Sequence, residues 1–286
     1  MLRRLLKTGL AAIVLVAAMP LPALADSVEF GARLKPSQEV PPNDSDGDGE
    51  VEFNLRGDSI RFTLEWDDLT SNVVAAHIHC APAGVNGPVG VTLLMGTQDS
   101  DGRIRSSFTA PDAGDPNPCG WTTLGDVIGA VLDGNAYVNV HTETFPGGEI
   151  RGQLKIDRPE FETEMDPRQE NPPTDSDGEG EAEFDMRRDR VSFKLEWEDL
   201  TSNVTMAHIH CGVVGVNGPV GVTLLMETRD PDDRIRGSFS GPDAGNGCGW
   251  LTLGDVVGAV IDDNAYVNVH TTTFPPGEIR GQLELD

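Results

Sequence analysis

The stretch EVEFNLRGDSIRFTLEW, residues 50–66, alternates apolar and polar side chains on both sides of Gly57 and Asp58. An alternation with a period of two is typical of a strand with one buried face, and Gly-Asp between two such runs indicates a hairpin turn. Similar runs follow at VVAAHIHC (73–80), RIRSSF (103–108), NAYVNVH (135–141) and GEIRGQL (148–154). The sequence therefore predicts an antiparallel β-sandwich or barrel.

One segment between these runs has the spacing of a helix instead. Its apolar side chains are Leu124, Val127, Ile128, Val131 and Leu132. They fall on one helical face, and Thr123 precedes them in the position of an N-cap. We therefore expect one short helix in an otherwise all-β domain.

The whole pattern occurs twice. LEWDDLTSNV (64–73) returns as LEWEDLTSNV (195–204), and GVNGPVGVTLLM (84–95) returns unchanged at 215–226. A period of about 130 residues is the size of a domain rather than of a solenoid repeat. The sequence predicts two tandem domains, residues 26–156 and 161–286, joined by a polar linker at 157–160.

Residues 1–25 have the composition of a cleaved export signal. Arg3, Arg4 and Lys7 precede an apolar run at 10–18, and Ala23-Leu24-Ala25 forms a small-x-small cleavage site. The apolar run is short for a membrane span. We expect a secreted or periplasmic protein that has no membrane span after the signal is cleaved.

Charge limits the partners of the chain. The formal net charge is −26 at pH 7, which argues against nucleic acid and anionic membrane surfaces because like charges repel. The same charge attracts cations, and a solvated acidic surface accounts for most of it.

The four cysteines recur in matched positions, Cys80 and Cys119 in the first repeat and Cys211 and Cys248 in the second. In an exported protein this arrangement predicts one disulfide per domain. Metal ligation by thiolate is the alternative, because Cys80 and Cys211 each directly follow a His-x-His motif.

All six histidines occupy three positions that occur twice: His77, His79 and His141, then His208, His210 and His270. Residues two apart on a strand share a face, with Cα atoms roughly 6.5–7 Å apart. A third imidazole from a neighbouring strand would complete an open three-His site, which suits copper or zinc and binds copper more tightly. Alternatively, these are hydrogen-bonded sheet histidines that pack against Tyr137 and tryptophan.

Other polar side chains share the predicted histidine face, with the core behind it. Those that we expect to support the ligands are Tyr137, Asn139, Glu149, Tyr266, Asn268 and Glu278.

A second candidate metal site lies in the acidic turn that precedes the 50–66 hairpin and in its counterpart in the second repeat. Its residues are Asp44, Asp46 and Asp48, then Asp175, Asp177 and Glu179. The spacing is similar to a calcium loop, but Leu55 stands where an EF-hand has its last glutamate, and no helices flank the loop. A plain acidic turn is the favoured interpretation.

The motifs together resemble the CHRD domain, a family first named from chordin. The residues that carry the resemblance are AHIHC (76–80), GVNGP (84–88), YVNVHT (137–142) and GEIRG (148–152), and the second repeat matches throughout. The resemblance implies two tandem Greek-key, immunoglobulin-like β-sandwich domains akin to copper/zinc superoxide dismutase. It implies no defined biochemical activity. The chain has no further histidines for a bridged zinc and no basic loop for superoxide, which argues against a dismutase.

Three functions are consistent with these observations. The first is an exported copper- or zinc-binding module with one three-His site per domain. The second is a structural module of the cell envelope that docks an envelope or extracellular protein. The third is a copper redox enzyme, although the sequence contains no constellation of catalytic residues that we recognise.

Overall fold

The computed structural model describes residues 28–114, 117–156, 159–187 and 189–285. The predicted export signal lies outside these residues, as do residues 157 and 158 of the predicted linker. Among the described residues, no helix is both long enough and apolar enough to cross a membrane.

The first domain is built from nine strands and one α-helix within the described residues. These are β1 (Val28–Leu34), β2 (Asp48–Arg56), β3 (Ser59–Asp67), β4 (Val73–Cys80), β5 (Val89–Gln98), β6 (Gly102–Phe108), α1 (Leu124–Leu132), β7 (Ala136–Thr142), β8 (Ile150–Gln153) and β9 (Lys155–Ile156).

The second domain repeats this order. Its elements are β10 (Glu160–Met165), β11 (Glu179–Arg187), β12 (Arg190–Glu198), β13 (Val204–Cys211), β14 (Val220–Leu225), β15 (Asp233–Phe239), α2 (Leu253–Ile261), β16 (Ala265–Thr271), β17 (Ile279–Gln282) and β18 (Glu284–Leu285).

Each domain is a sandwich of two antiparallel sheets. In the first domain the strand orders are β6-β3-β2-β1-β9 and β5-β4-β7-β8. The chain leaves β3 for the second sheet and returns beside it as β6, and β7 likewise returns beside β4, as in Greek-key sandwiches. Apolar side chains of both sheets, such as Phe53 and Ile78, meet in one core. The predicted all-β sandwich with one helix per domain is confirmed.

The hairpin that opens the sequence pattern forms as predicted. Arg56 pairs with Ser59 across the turn, and Gly57 has φ +55°, a left-handed conformation that glycine adopts without steric cost. Val51, Phe53 and Leu55 are buried on alternate positions of β2. The period-two pattern therefore faces the core.

Helix α1 begins at the predicted cap. The Thr123 hydroxyl accepts a hydrogen bond from the Asp126 N–H at 3.0 Å, and the Asp126 carboxylate accepts one from the Thr123 N–H at 3.0 Å. This reciprocal pair is a capping box, which satisfies backbone donors that a helix leaves unpaired at its start. Thr252 and Asp255 make the same pair at the start of α2.

The two helices pack against each other and join the domains. Gly125 of α1 lies against the backbone of Gly258, and Gly129 lies against Gly254, with no room for a Cβ at these contacts. The Gly125 N–H donates to the Asp262 carboxylate at 3.1 Å, and the Gly254 N–H donates to that of Asp133 at 3.3 Å. Each helix therefore supplies a capping carboxylate to the other in an approximately two-fold contact.

Both predicted disulfides are present. Cys80 is bonded to Cys119, and Cys211 to Cys248. The alternative assignment of these cysteines as thiolate metal ligands is wrong, because the structure has no free cysteine and all four lie in described residues. Two disulfides fit an extracellular or otherwise oxidising compartment.

Candidate metal centre

The pairing of β4 with β7 brings the three histidines of the first domain onto one face. His77 lies opposite Asn139, His79 opposite Tyr137, and His141 opposite Ala75. The same register places His208, His210 and His270 together on β13 and β16. Directly paired residues point to the same side of a sheet, so the strand alternation read from the sequence is confirmed.

The imidazoles of each triad are close neighbours. In the first domain the ring centroids are 5.5 Å apart for His77 and His79, 5.0 Å for His77 and His141, and 5.7 Å for His79 and His141. One ring nitrogen from each histidine lies within 4.8 Å of the other two, in both domains. Three nitrogens at this separation can approach a single metal ion.

In two histidines of the first domain, a hydrogen bond to a backbone carbonyl determines which ring nitrogen is left free. His79 Nδ1 lies 2.9 Å from the Gly87 carbonyl oxygen, and His141 Nδ1 lies 3.0 Å from that of Pro146. A carbonyl oxygen can only accept a hydrogen bond, so the ring nitrogen that faces it must carry the proton. The proton is therefore assigned to Nδ1 and the lone pair to Nε2. This arrangement, a ligating imidazole whose other nitrogen donates to a carbonyl, is common behind metal ligands.

The nitrogens left over are buried and have no hydrogen-bond partner. In the first domain they are Nδ1 of His77 and Nε2 of His79 and His141. The corresponding atoms of the second domain are Nδ1 of His208 and Nε2 of His210 and His270. Buried polar groups are normally paired, so these six nitrogens are exceptions, and they recur at equivalent positions in the two domains.

Burial also keeps the imidazoles neutral. It lowers the pKa of His141, His208 and His210 to about 4 and lowers that of His77, His79 and His270 below the ordinary value of 6.5. Removal from water disfavours the charged ring. A neutral imidazole is the form that binds metal, so the sites need not lose protons at neutral pH.

A stacked column supports His79. Its ring lies parallel to that of Tyr137, at a centroid distance of 4.9 Å, and the guanidinium carbon of Arg151 lies 3.4 Å from the other face of the tyrosine. The Tyr137 hydroxyl accepts a hydrogen bond from the Gly87 N–H at 3.1 Å. The column is therefore tied to the loop whose carbonyl orients His79.

The guanidinium group of Arg151 binds the same loop through hydrogen bonds. It is 1 % exposed, and its Nη2 donates to the carbonyls of Val85 and Pro82 at 2.9 and 3.3 Å, while Nη1 donates to the side chain of Asn86 at 3.2 Å. Arg280 occupies the equivalent position in the second domain. The face predicted to be polar is thus buried beneath a loop rather than open to solvent.

Glu39 is a buried carboxylate that the sequence reasoning missed. Asn139 Nδ2 lies 3.4 Å from Glu39 Oε2. Burial raises the pKa of Glu39 to about 7, although the nearby positive charge of Arg151 acts in the opposite direction. Glu170 repeats this environment with Asn268 and Arg280. The sequence signal for this glutamate was the motif Gln-Glu-x-Pro-Pro, which occurs at 38–42 and again at 169–173.

The residues expected to support the ligands divide into two groups. Tyr137 and Tyr266 stack on histidines, and Asn139 and Asn268 face the buried glutamates.

Glu149 and Glu278 lie elsewhere. Glu149 accepts hydrogen bonds from Ser45 Oγ at 2.5 Å, from the Thr70 N–H at 2.8 Å and from Thr142 Oγ1 at 2.6 Å. Glu278 has the equivalent partners in the second domain. Glu149 therefore joins the loop around Ser45 to Thr142, which is the last residue of β7 and directly follows His141.

The acidic turns do not assemble a comparable cluster. Asp48 forms an ion pair with Lys35 at 2.5 Å. Among the described residues, the two histidine triads are the groups of three or more His, Cys, Asp or Glu side chains whose ligand atoms lie together. Calcium binding by the turns therefore gains no support from the geometry.

The family model for the CHRD domain matches the chain twice, at residues 30–154 and 161–283. The chain belongs to the CHRD domain family. No curated protein matches it. Each CHRD domain contains one complete triad, so the two candidate metal centres are equivalent products of the tandem arrangement.

Proposed function

We propose that this protein is an exported metal-binding protein that holds one ion, copper in preference to zinc, in the three-His site of each CHRD domain. The observation that carries the proposal is the convergence of three buried ring nitrogens that have no partner. An unsatisfied buried polar group is unfavourable by about 1–3 kcal/mol. A bound cation would satisfy all three nitrogens of a triad at once.

The donor set favours copper. Three neutral imidazoles are borderline donors that bind both copper and zinc, and the affinity order of divalent ions places copper first. The chain has six histidines, and the two triads use all of them. Each site is therefore best matched to a single ion rather than to a bridged pair.

Charge and compartment agree with this role. The net charge of −26 attracts cations to the surface. The two disulfides fit an oxidising compartment, which supports export together with the signal-like composition of residues 1–25.

Metal titration of the purified chain tests the proposal. We expect two equivalents of copper per chain, and loss of both when His79→Ala is combined with His210→Ala. The matched control is Asp44→Asn with Asp175→Asn, which alters two acidic residues outside the triads and should leave the stoichiometry at two. Circular dichroism of each variant checks that it has folded.

Two outcomes would overturn the proposal. One is no binding at micromolar copper or zinc, and the other is binding that persists unchanged in the double histidine variant. A module that only docks a protein predicts the first outcome, with loss of partner capture in the histidine variants.

A further inference from the structure

The surroundings of the two triads differ at the position that pairs with the third histidine. Ala75 lies opposite His141 in the first domain, whereas Met206 lies opposite His270 in the second. The surrounding motif, Ala-His-Ile-His-Cys, is identical in the two domains. The second site therefore has a thioether beside it that the first site lacks.

The strand register places Met206 on the face of the triad. The pairing of β13 with β16 runs without a shift from Met206 to Cys211, so Met206, His208 and His210 alternate onto one side. Directly paired residues in an antiparallel sheet have Cβ atoms about 5 Å apart. The flexible side chain of Met206 begins at that distance from His270 and can reach toward the imidazoles.

Two histidines of the second domain are more buried than their counterparts in the first, as expected beside a larger neighbouring side chain. His208 is 7 % exposed, whereas its counterpart His77 is only partly buried. His270 is 6 % exposed and His141 is 9 % exposed. The triad of the second domain is thus the more enclosed of the two.

A second pair of methionines cannot account for a difference between the domains. Met95 and Met226 occupy equivalent positions and are 73 % and 74 % exposed. Met95 lies opposite Ala75, one strand further from His141. Because both domains have this residue, Met206 is the thioether that distinguishes the second site.

We propose that the second domain holds a three-His-plus-Met site selective for Cu(I), and that the first holds a three-His site without that selectivity. The proposal rests on the metal-binding function proposed above. Soft thioether ligands favour Cu(I), whereas imidazole serves several divalent ions. The chain would then contain one copper site that favours Cu(I) and one that does not.

Full-length chains with one site each test the proposal. His79→Ala leaves the second site, and His210→Ala leaves the first. We expect the second site to bind Cu(I) about tenfold more tightly than the first in anaerobic competition with a Cu(I) chelator, which is the lower end of the effect that residues around a metal ligand have on affinity. The affinities of the two sites for Cu(II) should differ much less.

Reciprocal substitutions show whether Met206 is the cause. Met206→Leu keeps the bulk of the side chain but removes the sulfur, and should abolish the Cu(I) preference of the second site. Ala75→Met should introduce that preference into the first site. Met95→Leu is the exposed-methionine control and should change neither site. X-ray absorption of the Cu(I)-loaded chains should show a sulfur ligand only where Met206 or the new methionine is present.

Two results would overturn this inference while leaving the metal-binding function intact. They are equal Cu(I) affinities in the two single-site chains, and a preference that survives Met206→Leu. Absence of copper binding at both sites would instead overturn the proposed function itself, so the two failures are distinguishable.

Discussion

His79 lies flat against Tyr137, with ring centroids 4.9 Å apart and planes 9° from parallel. His210 and Tyr266 repeat the contact at 5.0 Å and 12°. On the far side of each tyrosine lies a buried arginine, Arg151 or Arg280. The orientation of one imidazole in each triad is thus set by an aromatic ring that is itself clamped by a guanidinium group.

Removing the aromatic ring should weaken metal binding at the first site. In a His210→Ala chain, we expect Tyr137→Leu to lower copper affinity about tenfold, because loss of a group that orients a ligand typically has an effect of this size. Tyr137→Phe keeps the stack and loses only the hydrogen bond from Gly87, so it should have a smaller effect. Equal affinities for the two variants in a copper titration would contradict an orienting role of the ring.

Glu149 should matter more for stability than its position in a loop suggests. It is fully buried and accepts hydrogen bonds from Ser45, Thr70 and Thr142. Glu149→Ala leaves these buried donors without an acceptor, and we expect a loss of about 3 kcal/mol in the free energy of unfolding. Urea denaturation measures it, with the exposed Glu143→Ala as control. A loss no larger than that of the control would show that the carboxylate does not anchor the loop.

Much of the sandwich could be predicted because its signals are local. The hairpin at 50–66, the capped helix after Thr123 and the pairing of His77 with His79 on one face all follow from spacing within a few residues. The prediction of two similar triads followed from the repeat alone.

Other features were beyond local reasoning. Strand β5 was not predicted, because its apolar run does not alternate with polar residues. In the structure, its pairing with β4 contains register shifts around His77 and His79. Glu39 reaches Asn139 across 100 residues of sequence, and no spacing rule identifies such a contact.

Buried histidines and glutamates should give the metal-free protein opposing dependences on pH. Depressed histidine pKa values stabilise the fold above pH 6.5, and this contribution is lost as the pH falls toward about 4. The raised pKa of Glu39 and Glu170 works in reverse. Their contribution is fully present below 4.5 and is lost as the pH rises through about 7.

The glutamate contribution can be isolated with Glu39→Gln combined with Glu170→Gln. Relative to the unchanged chain, this variant should gain stability as the pH rises from 5 to 8, because its amides do not ionise. Thermal unfolding across that range measures the difference, and the exposed Glu52→Gln serves as control. A difference that stays constant with pH would show that the buried carboxylates do not titrate in this interval.

The contact between α1 and α2 requires glycine at the positions where the two helices meet. In an exposed helix, Gly→Ala stabilises by up to about 1 kcal/mol. At Gly125 we expect the opposite, because the added methyl group would overlap the backbone of Gly258. Gly125→Ala should lower the unfolding midpoint and increase the radius of gyration in small-angle scattering. Gly147→Ala is the control, since a Cβ there meets nothing within 4 Å. Unchanged scattering would show that the helices do not hold the domains together.

The two helices that meet at these glycines belong to one chain, and this affects how the contact responds to dilution. An association between separate molecules weakens as their concentration falls. A tethered association depends only on the effective concentration set by the linker. The pair of domains should therefore stay together as a single particle at any dilution, carrying both triads with it.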